Sequence, residues 1–211
     1  MPEMKTRTSR LYVASSNPGK LREYRELAAG GSPGNFVEIE LLPGFRDLPA
    51  YPEDGTTFAE NAAGKALHFS RFSAEPVFAD DSGLVVPALG GEPGVRSARY
   101  AGPHASDADR YRKLLEAMRG KTGEERRARF VCVLALAHQG RAVAVFSDAV
   151  EGVIAESPRG EGGFGYDPVF YFEKLRRTYA EITPDQKNEY SHRGRCFRKL
   201  LQFLDSPDSA P

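Results

Sequence analysis

The chain has 211 residues, 40% of them hydrophobic, so it is long enough for one large domain or two small lobes around a real core. Lysine and arginine together number 29, as do aspartate and glutamate, and this lack of positive excess argues against a general binder of nucleic acids or membrane surfaces. Two cysteines, Cys132 and Cys196, are too few for a disulfide framework or a four-ligand zinc site, and Cys132 is predicted to lie in the core.

The first ten residues are polar and no apolar segment follows them, so we expect no signal peptide. No apolar run approaches the length needed to cross a membrane. A cytoplasmic protein that binds neither nucleic acid nor membrane is therefore expected.

The first half of the chain predicts two strands and two helices. The strands cover residues 11–14 and 36–42, and the first helix covers 20–29 and stops at the glycines that follow it. A longer helix is predicted from Thr56 or Thr57 to about residue 73, because Glu60 follows Thr57 by three residues, as in a capping box.

The second half alternates strands and helices. Short strands are predicted over residues 77–80 and 84–87, and further strands over 130–137, 142–146 and 150–154. A hairpin is predicted at Gln139-Gly140 and a short extended segment over 179–182. Helices are predicted over residues 107–119, 184–189 and 191–204, and the first of them carries Tyr111, Leu114, Leu115 and Met118 on one face. This interleaving indicates an α/β fold in one domain over residues 1–205, with a disordered tail over 206–211.

Asp80 and Asp81 are adjacent carboxylates between an apolar run and Ser82-Gly83. We interpret them as an acidic turn at the end of a buried strand, where α/β proteins place reacting groups. A divalent cation between the two carboxylates, or a hydrogen bond to one of them, would relieve their repulsion. The alternative is an exposed turn that closes a hairpin.

The segment between the first strand and the first helix is a candidate phosphate site. It consists of Ser15, Ser16, Asn17, Pro18, Gly19 and Lys20. Free N–H groups at a helix start bind phosphate, and a lysine there adds a positive charge. The glycine spacing is not that of a Walker A loop, and the alternative is a plain turn with a surface lysine.

Asn61 and Lys65 lie four residues apart and share one face of the second predicted helix. Glu53 and Asp54 precede this helix in the sequence. This face would present an amide and a cation to a triphosphate. The alternative is a solvated helix face.

The segment over residues 162–168 places three glycines around Phe164 and Tyr166, with Gly165 between the two aromatics and Asp167 after them. Glycine lets the backbone approach a ligand closely, and an exposed aromatic ring can stack on a base. The alternative is a tight turn whose aromatics fold into the core.

Lys187 and the run from Ser191 through His192 and Arg193 to Gly194 place three cationic or basic side chains near the start of the last helix. Cations are unfavourable at this end of the helix dipole, so an anionic or acceptor-rich ligand would relieve the cost. Together with the carboxylates, the lysines and the aromatics, these residues make up the inventory of a site for a metal and a nucleotide.

Taken in order, these motifs resemble the Ham1/RdgB family of inosine triphosphate pyrophosphatases. The resemblance extends from Leu11 to about Leu204 and also includes residues 57–62 and 93–100. It implies an elongated α/β fold with a long twisted mixed sheet, flanking helices and two lobes around a central cleft. It further implies a homodimer and the reaction of a nucleoside triphosphate with water to give a monophosphate and pyrophosphate, with Mg²⁺.

The resemblance also implies roles for individual residues. Asp81 would be the general base and a metal ligand, and Glu53 would be a second metal ligand. The substrate would be contacted by Ser15, Ser16, Asn17, Pro18, Gly19, Lys20, Lys65, Ser82, Phe164, Gly165, Tyr166, Asp167, Lys187, His192 and Arg193. One departure is Ser15-Ser16, where many members have Thr-Gly, so the geometry of the phosphate loop is expected to differ slightly.

Three interpretations compete at this point. A non-canonical purine pyrophosphatase is favoured by the Ser-His-Arg-Gly segment and by the glycine-rich aromatic loop. A Maf-type pyrophosphatase has a related architecture and prefers other bases. A non-catalytic nucleotide-binding module is disfavoured by the intact pair of aspartates and by Glu53, because a pure binder needs no general base.

Overall fold

The computed structural model describes residues 7–30 and 35–206. Within them the helices are α1 (Pro18–Ala29), α2 (Phe58–Phe69), α3 (Asp107–Ala117), α4 (Pro184–Tyr190) and α5 (His192–Leu204). The strands are β1 (Arg7–Val13), β2 (Asn35–Leu41), β3 (Val77–Val85), β4 (Arg127–His138), β5 (Arg141–Ile154), β6 (Phe170–Phe172) and β7 (Arg177–Thr178). The prediction of a disordered tail concerns residues that, apart from Ser206, lie outside the described part of the chain.

The described strands form one mixed sheet in the order β2-β1-β3-β4-β5-β6-β7. β1 pairs in parallel with both β2 and β3, whereas β5 pairs antiparallel with β6 and β6 pairs antiparallel with β7. This mixed sheet with helices confirms the predicted α/β class. No helix among the described residues is long and apolar enough to cross a membrane.

The chain groups into two compact units. The first consists of residues up to Asp81, residues 133–147 and residues from Gly194 onward, and the second consists of residues 82–132 and 148–193. Each unit has its own apolar cluster. The cluster of the first unit includes Ala62, Phe69, Val77 and Val133, and that of the second includes Leu114, Phe130, Ile154, Phe170 and Tyr179.

Several helix boundaries follow from local capping. Thr57 caps α2, and its capping box with Glu60 is present as predicted. Leu114 of α3 and Met118, the residue that follows the helix, lie in the core of the second unit, with the two other predicted residues, Tyr111 and Leu115, packed against it. The buried position of Cys132 is also confirmed.

The acidic turn is a wrong prediction. Residues 77–85 form one continuous strand, and Ser82-Gly83 do not turn the chain. Gly83 is needed in this strand for another reason: a Cβ there would lie 2.3 Å from the Oγ of Ser97 and 2.6 Å from the carbonyl oxygen of Gly94. Close approach of a neighbouring segment is a recognised use of a strand glycine.

The predicted extended segment over 179–182 is also wrong, because Tyr179–Glu181 forms a turn of 3₁₀-helix. Thr178 and Glu181 close a capping box there, with the Glu181 carboxylate accepting the Thr178 N–H at 2.8 Å. The predicted strands over 142–146 and 150–154 are parts of the single strand β5. The two-residue turn at Gln139-Gly140, with φ of 50° and 77°, joins β4 to β5 as predicted.

Candidate active site

The two adjacent aspartates are bonded differently. Neighbouring side chains of a strand point to opposite faces, yet the charge of Lys20 acts on both carboxylates. Asp80, which is fully buried, pairs with the ammonium of Lys20 at 3.0 Å. Asp81 is buried too, and its Oδ2 accepts a hydrogen bond of 2.9 Å from the side-chain amide of Asn61.

The predicted phosphate segment is a capped helix start. The side-chain oxygen of Asn17 accepts the N–H groups of Gly19 at 2.8 Å and Lys20 at 3.2 Å, and the Oγ of Ser15 accepts the Asn17 N–H at 3.2 Å. Because these donors are bound within the segment, the ammonium of Lys20 is its strongest group for an anion. Ser16, the departure from the common pattern, is exposed to solvent.

The shared face of α2 is buried, which excludes the solvated alternative. Asn61 is 1% exposed and Lys65 is 6% exposed. The Asn61 amide bridges two segments, because its oxygen accepts the Gly55 N–H at 2.9 Å while its nitrogen donates to Asp81. Lys65 donates to the carboxylate of Glu53 at 2.6 Å. The sequence predicted that this amide would face a triphosphate, whereas in the structure it donates a hydrogen bond to Asp81.

Burial raises the pKa of the Asp81 carboxyl, and nearby Glu53 adds to the rise. Lys20, the hydrogen bond from Asn61 and Lys65 each lower that pKa and only partly offset the cost of burial. A carboxylate whose pKa is raised toward neutrality is a better proton acceptor at the pH of the cell.

The carboxylates of Glu53 and Asp81 are suitable ligands for Mg²⁺. Glu53 and Asp81 lie close enough for their charges to interact, and both supply hard oxygen ligands. Among the described residues no group of three or more histidine, cysteine, aspartate and glutamate side chains forms a complete metal cage. Mg²⁺ does not need such a cage, because it commonly binds one or two carboxylates and completes its shell with phosphate oxygens and water.

The glycine-rich loop of the second unit is built around Asp167. This residue is 2% exposed, and its Oδ2 accepts both the Phe164 N–H at 2.8 Å and the ammonium of Lys187. Gly163 has a φ of 72°, and a Cβ there would lie 2.0 Å from the same carboxylate oxygen. The loop therefore holds Phe164 through a buried ion pair and through a turn that only glycine accommodates.

Phe164 is half-buried and lies beneath two cations. The ammonium of Lys187 lies 4.7 Å from the ring centroid, and the guanidinium carbon of Arg193 lies 5.4 Å from it. Arg193 also donates to the Oγ of Ser82 at 2.9 Å. Cation–π contacts and a hydrogen bond thus connect the loop, α4, the start of α5 and β3.

His192 and Tyr166 are packed more deeply than a ligand-facing role suggests. The His192 ring stacks on Phe130 with centroids 4.7 Å apart, and it is 3% exposed. Tyr166 is 4% exposed, and its hydroxyl donates to the carbonyl oxygen of Ser97 at 2.8 Å. Burial raises the pKa of this phenol well above its ordinary value. Of the two aromatic residues in the loop, Tyr166 is folded into the core, as the alternative interpretation of this segment expected, whereas Phe164 is only half-buried.

Two residues at this site were assigned no role from the sequence, although Ser97 lies in the segment 93–100 that takes part in the family resemblance. Asp107, the first residue of α3, accepts the Gly165 N–H at 2.7 Å, and Ser97 binds Tyr166. An aspartate in the first turn of a helix is ordinary, and a serine in a loop is common, so neither residue type pointed to this role.

A sequence model of the Ham1 family matches residues 11–203. The chain belongs to the Ham1 family. It is 51% identical over 190 residues to a "dITP/XTP pyrophosphatase" of Geobacillus kaustophilus, covering 90% of this chain and 91% of that protein. It is 48% identical over 202 residues to a protein of the same name from Thermus thermophilus, covering 95% of each chain.

Solved structures of Ham1 proteins share the fold. A HAM1 protein from Coxiella burnetii matches with a TM-score of 0.80 and 40% identity, over 93% of this chain and 98% of that one. The Ham1 protein of Staphylococcus aureus matches with a TM-score of 0.80 and 38% identity over the same shares. The predicted Ham1 fold is thus confirmed.

Proposed function

We propose that this Ham1 protein hydrolyses non-canonical purine nucleoside triphosphates such as ITP, dITP and XTP to the monophosphate and pyrophosphate. The observation that carries the proposal is the buried cluster in the first unit, where carboxylates and lysines lie side by side. Its geometry supports hydrolysis of a phosphate anhydride, and the names of the curated relatives support the choice of substrate.

Counting charges in this cluster supports a role for a metal ion. Three carboxylates, those of Glu53, Asp80 and Asp81, accompany two ammonium groups, those of Lys20 and Lys65. The sum of −3 and +2 leaves the cluster with a net negative charge, which repels a triphosphate. We propose that Glu53 and Asp81 hold Mg²⁺, which neutralises this charge and polarises the phosphate oxygens when bound.

The two lysines are proposed to bind the triphosphate. In the structure each ammonium is already paired with a carboxylate, so each is held in place in the absence of substrate. A triphosphate would take over one or both ammonium groups with little change in their position. The capped segment formed by residues 15–20 would contribute the start of α1, whose dipole favours negative charge.

The proposed chemical step is an attack of water on the α-phosphorus. The bond from the α-phosphorus to the bridging oxygen of the β-phosphate breaks, and pyrophosphate leaves with that electron pair. Asp81 accepts a proton from the water, and the Asn61 amide keeps its carboxylate in one orientation. The raised pKa of Asp81 suits this task.

We propose that a base-binding cluster in the second unit, formed by Phe164, Lys187 and Arg193, recognises the base. Phe164 offers a ring for stacking, while Lys187 and Arg193 supply hydrogen-bond donors and positive charge, and His192 lies buried next to Arg193 at the start of α5. Hypoxanthine and xanthine carry an acceptor oxygen at position 6, whereas adenine carries a donor amino group there. Donors at this position favour the first two bases and leave adenine with an unfavourable contact.

The test is release of pyrophosphate from ITP, XTP, dITP, GTP and ATP, each with Mg²⁺ and with EDTA. The proposal requires metal-dependent release from the first three substrates and much slower release from ATP. Guanine also carries an oxygen at position 6, so slow release from GTP would require a contact that excludes its 2-amino group. Release from none of them would contradict it, and release from modified pyrimidine nucleotides instead would favour the Maf-type alternative.

A homodimer, a cytoplasmic location and a single domain with two lobes are further proposals. They rest on the family resemblance, and the similarity to other Ham1 proteins over nearly the whole chain supports them.

A further inference from the structure

Ser97 makes three hydrogen bonds, one within its own 3₁₀ helix (Gly94–Arg99) and two to other segments of the second unit. Its Oγ accepts the buried Leu84 N–H at 2.9 Å and donates to the Gly94 carbonyl at 2.7 Å. Its own carbonyl accepts the Tyr166 hydroxyl at 2.8 Å. At 6% exposure, Ser97 is almost completely shielded from water, so these bonds have little competition from solvent.

The absence of a side chain at Gly83 in β3 leaves room for the hydroxyl of Ser97. The hydroxyl lies where a side chain on residue 83 would be, since a Cβ at Gly83 would lie 2.3 Å from the Ser97 Oγ and 2.9 Å from the Ser97 Cβ. Glycine at 83 and serine at 97 therefore form a matched pair. A larger residue at the first position would displace the hydroxyl from the Leu84 N–H.

The two segments that Ser97 contacts, β3 and the glycine-rich loop, also carry residues of the proposed base-binding cluster. Ser82 precedes Gly83 in β3 and accepts the hydrogen bond from Arg193, whose guanidinium lies over Phe164. Tyr166 follows Phe164 by two residues in the glycine-rich loop. Ser97 itself is hydrogen-bonded on one side to the strand that carries Ser82 and on the other to the loop that carries Phe164.

We propose that Ser97 is a positioning residue for base discrimination, which rests on the function proposed above. It fixes the position of β3 relative to the glycine-rich loop, so that Arg193 and Phe164 contact the base from fixed positions. Small displacements matter here, because a misplacement of about 1 Å can cost about 100-fold in rate. Loss of the hydroxyl is therefore expected to weaken the preference for a 6-oxo base over a 6-amino base.

The test compares Ser97→Ala with Ser70→Ala. Ser70 is a matched control in the first unit: it is fully buried, its Oγ accepts the Gly140 N–H at 2.9 Å, and it donates to the Leu67 carbonyl at 3.2 Å. Both variants remove a buried hydroxyl that bridges two backbone groups, so both should lower the Tm by a similar amount. Ser97→Ala alone should raise the KM for ITP and lower the ratio of kcat/KM for ITP to that for ATP, each by roughly tenfold.

A merely structural role would give a different pattern. Partial unfolding lowers the amount of active enzyme, and hence the apparent kcat, but leaves the KM and the ITP-to-ATP ratio unchanged. If Ser97→Ala behaves in this way, as Ser70→Ala is expected to, the proposal is wrong.

A second variant keeps the proposal testable if Ser97→Ala does not fold. Tyr166→Phe removes the hydroxyl that reaches the Ser97 carbonyl and leaves the ring in the core. It should shift the ITP-to-ATP ratio in the same direction, and an unchanged ratio would contradict the proposal. Failure of the proposed function itself would look different, because the wild-type protein would then release no pyrophosphate from ITP.

Discussion

The buried ion pair of Lys187 and Asp167 gives the sharpest test of how the glycine-rich loop is held. Its side chains are 7% and 3% exposed, and the Asp167 carboxylate also accepts the Phe164 N–H at 2.8 Å. Lys187→Met keeps an unbranched side chain one atom shorter and removes the charge, which leaves a buried carboxylate without that ammonium. Removing one member of such a pair costs about 3–5 kcal/mol, because an uncompensated buried charge remains.

In a chain of this length that cost should lower the Tm by about 6–20 °C, since each kcal/mol corresponds to about 2–4 °C. Asp167→Asn alone should cost less, because the flexible lysine stem lets the ammonium move toward water. The double variant removes both charges and should be more stable than the sum of the single losses predicts, by about 1–3 kcal/mol.

The assay is urea unfolding followed by circular dichroism, because the chain contains no tryptophan for fluorescence. A matched control is Arg119→Met, which breaks a pair with Glu116 whose side chains are 77% and 63% exposed. Such a surface pair contributes little, so its loss should leave the midpoint almost unchanged. Additive losses in the Lys187 and Asp167 cycle would refute the reasoning, since they would mean that the two charges do not compensate each other.

Three further predictions concern the strand β3 and its neighbours. Asp81→Asn should abolish pyrophosphate release yet raise the Tm of the metal-free protein at neutral pH, because burial raises the pKa of this carboxyl and its ionised form disfavours folding. Asn61→Ala removes a hydrogen bond that lowers the same pKa, so the acidic limb of the pH–rate profile should move to higher pH. Gly83→Ala should cost about 1–3 kcal/mol through overpacking against Ser97, whereas Gly30→Ala, whose Cβ would lie 3.7 Å from its nearest neighbour, should not.

The sign of the Asp81 effect follows from linkage. A carboxyl with a raised pKa in the folded state stabilises the protein below its ordinary pKa of 3.8, and this contribution is lost as the pH rises through the folded value. The stability of the wild-type protein relative to Asp81→Asn should therefore fall over that range, measured with EDTA present. A variant that is less stable at neutral pH would show that Lys20 and Lys65 outweigh burial.

The other two predictions have equally direct readouts. An acidic limb that stays in place in Asn61→Ala would mean either that Asp81 is not the group that titrates or that the amide does not act on it. For Gly83→Ala, an unchanged unfolding midpoint would mean that Ser97 moves aside at no cost.

The sequence by itself determined the features that depend on a few neighbouring residues. Thr57 and Glu60 specify the start of α2, and Gln139-Gly140 specifies the hairpin, because a cap or a tight turn is completed within four residues. The order of the motifs along the chain was also enough to indicate the Ham1 family, which the comparisons confirm.

Only the tertiary structure decided how these motifs act on one another. Ser82-Gly83 looked like a turn, yet the glycine serves a close contact with Ser97, and that contact joins residues more than ten positions apart. The amide of Asn61 is bound to Asp81, which lies 20 residues further along the chain. Local propensity is set by nearest neighbours, whereas close approaches and buried hydrogen bonds arise only when distant segments pack. No single segment of the sequence carries that information.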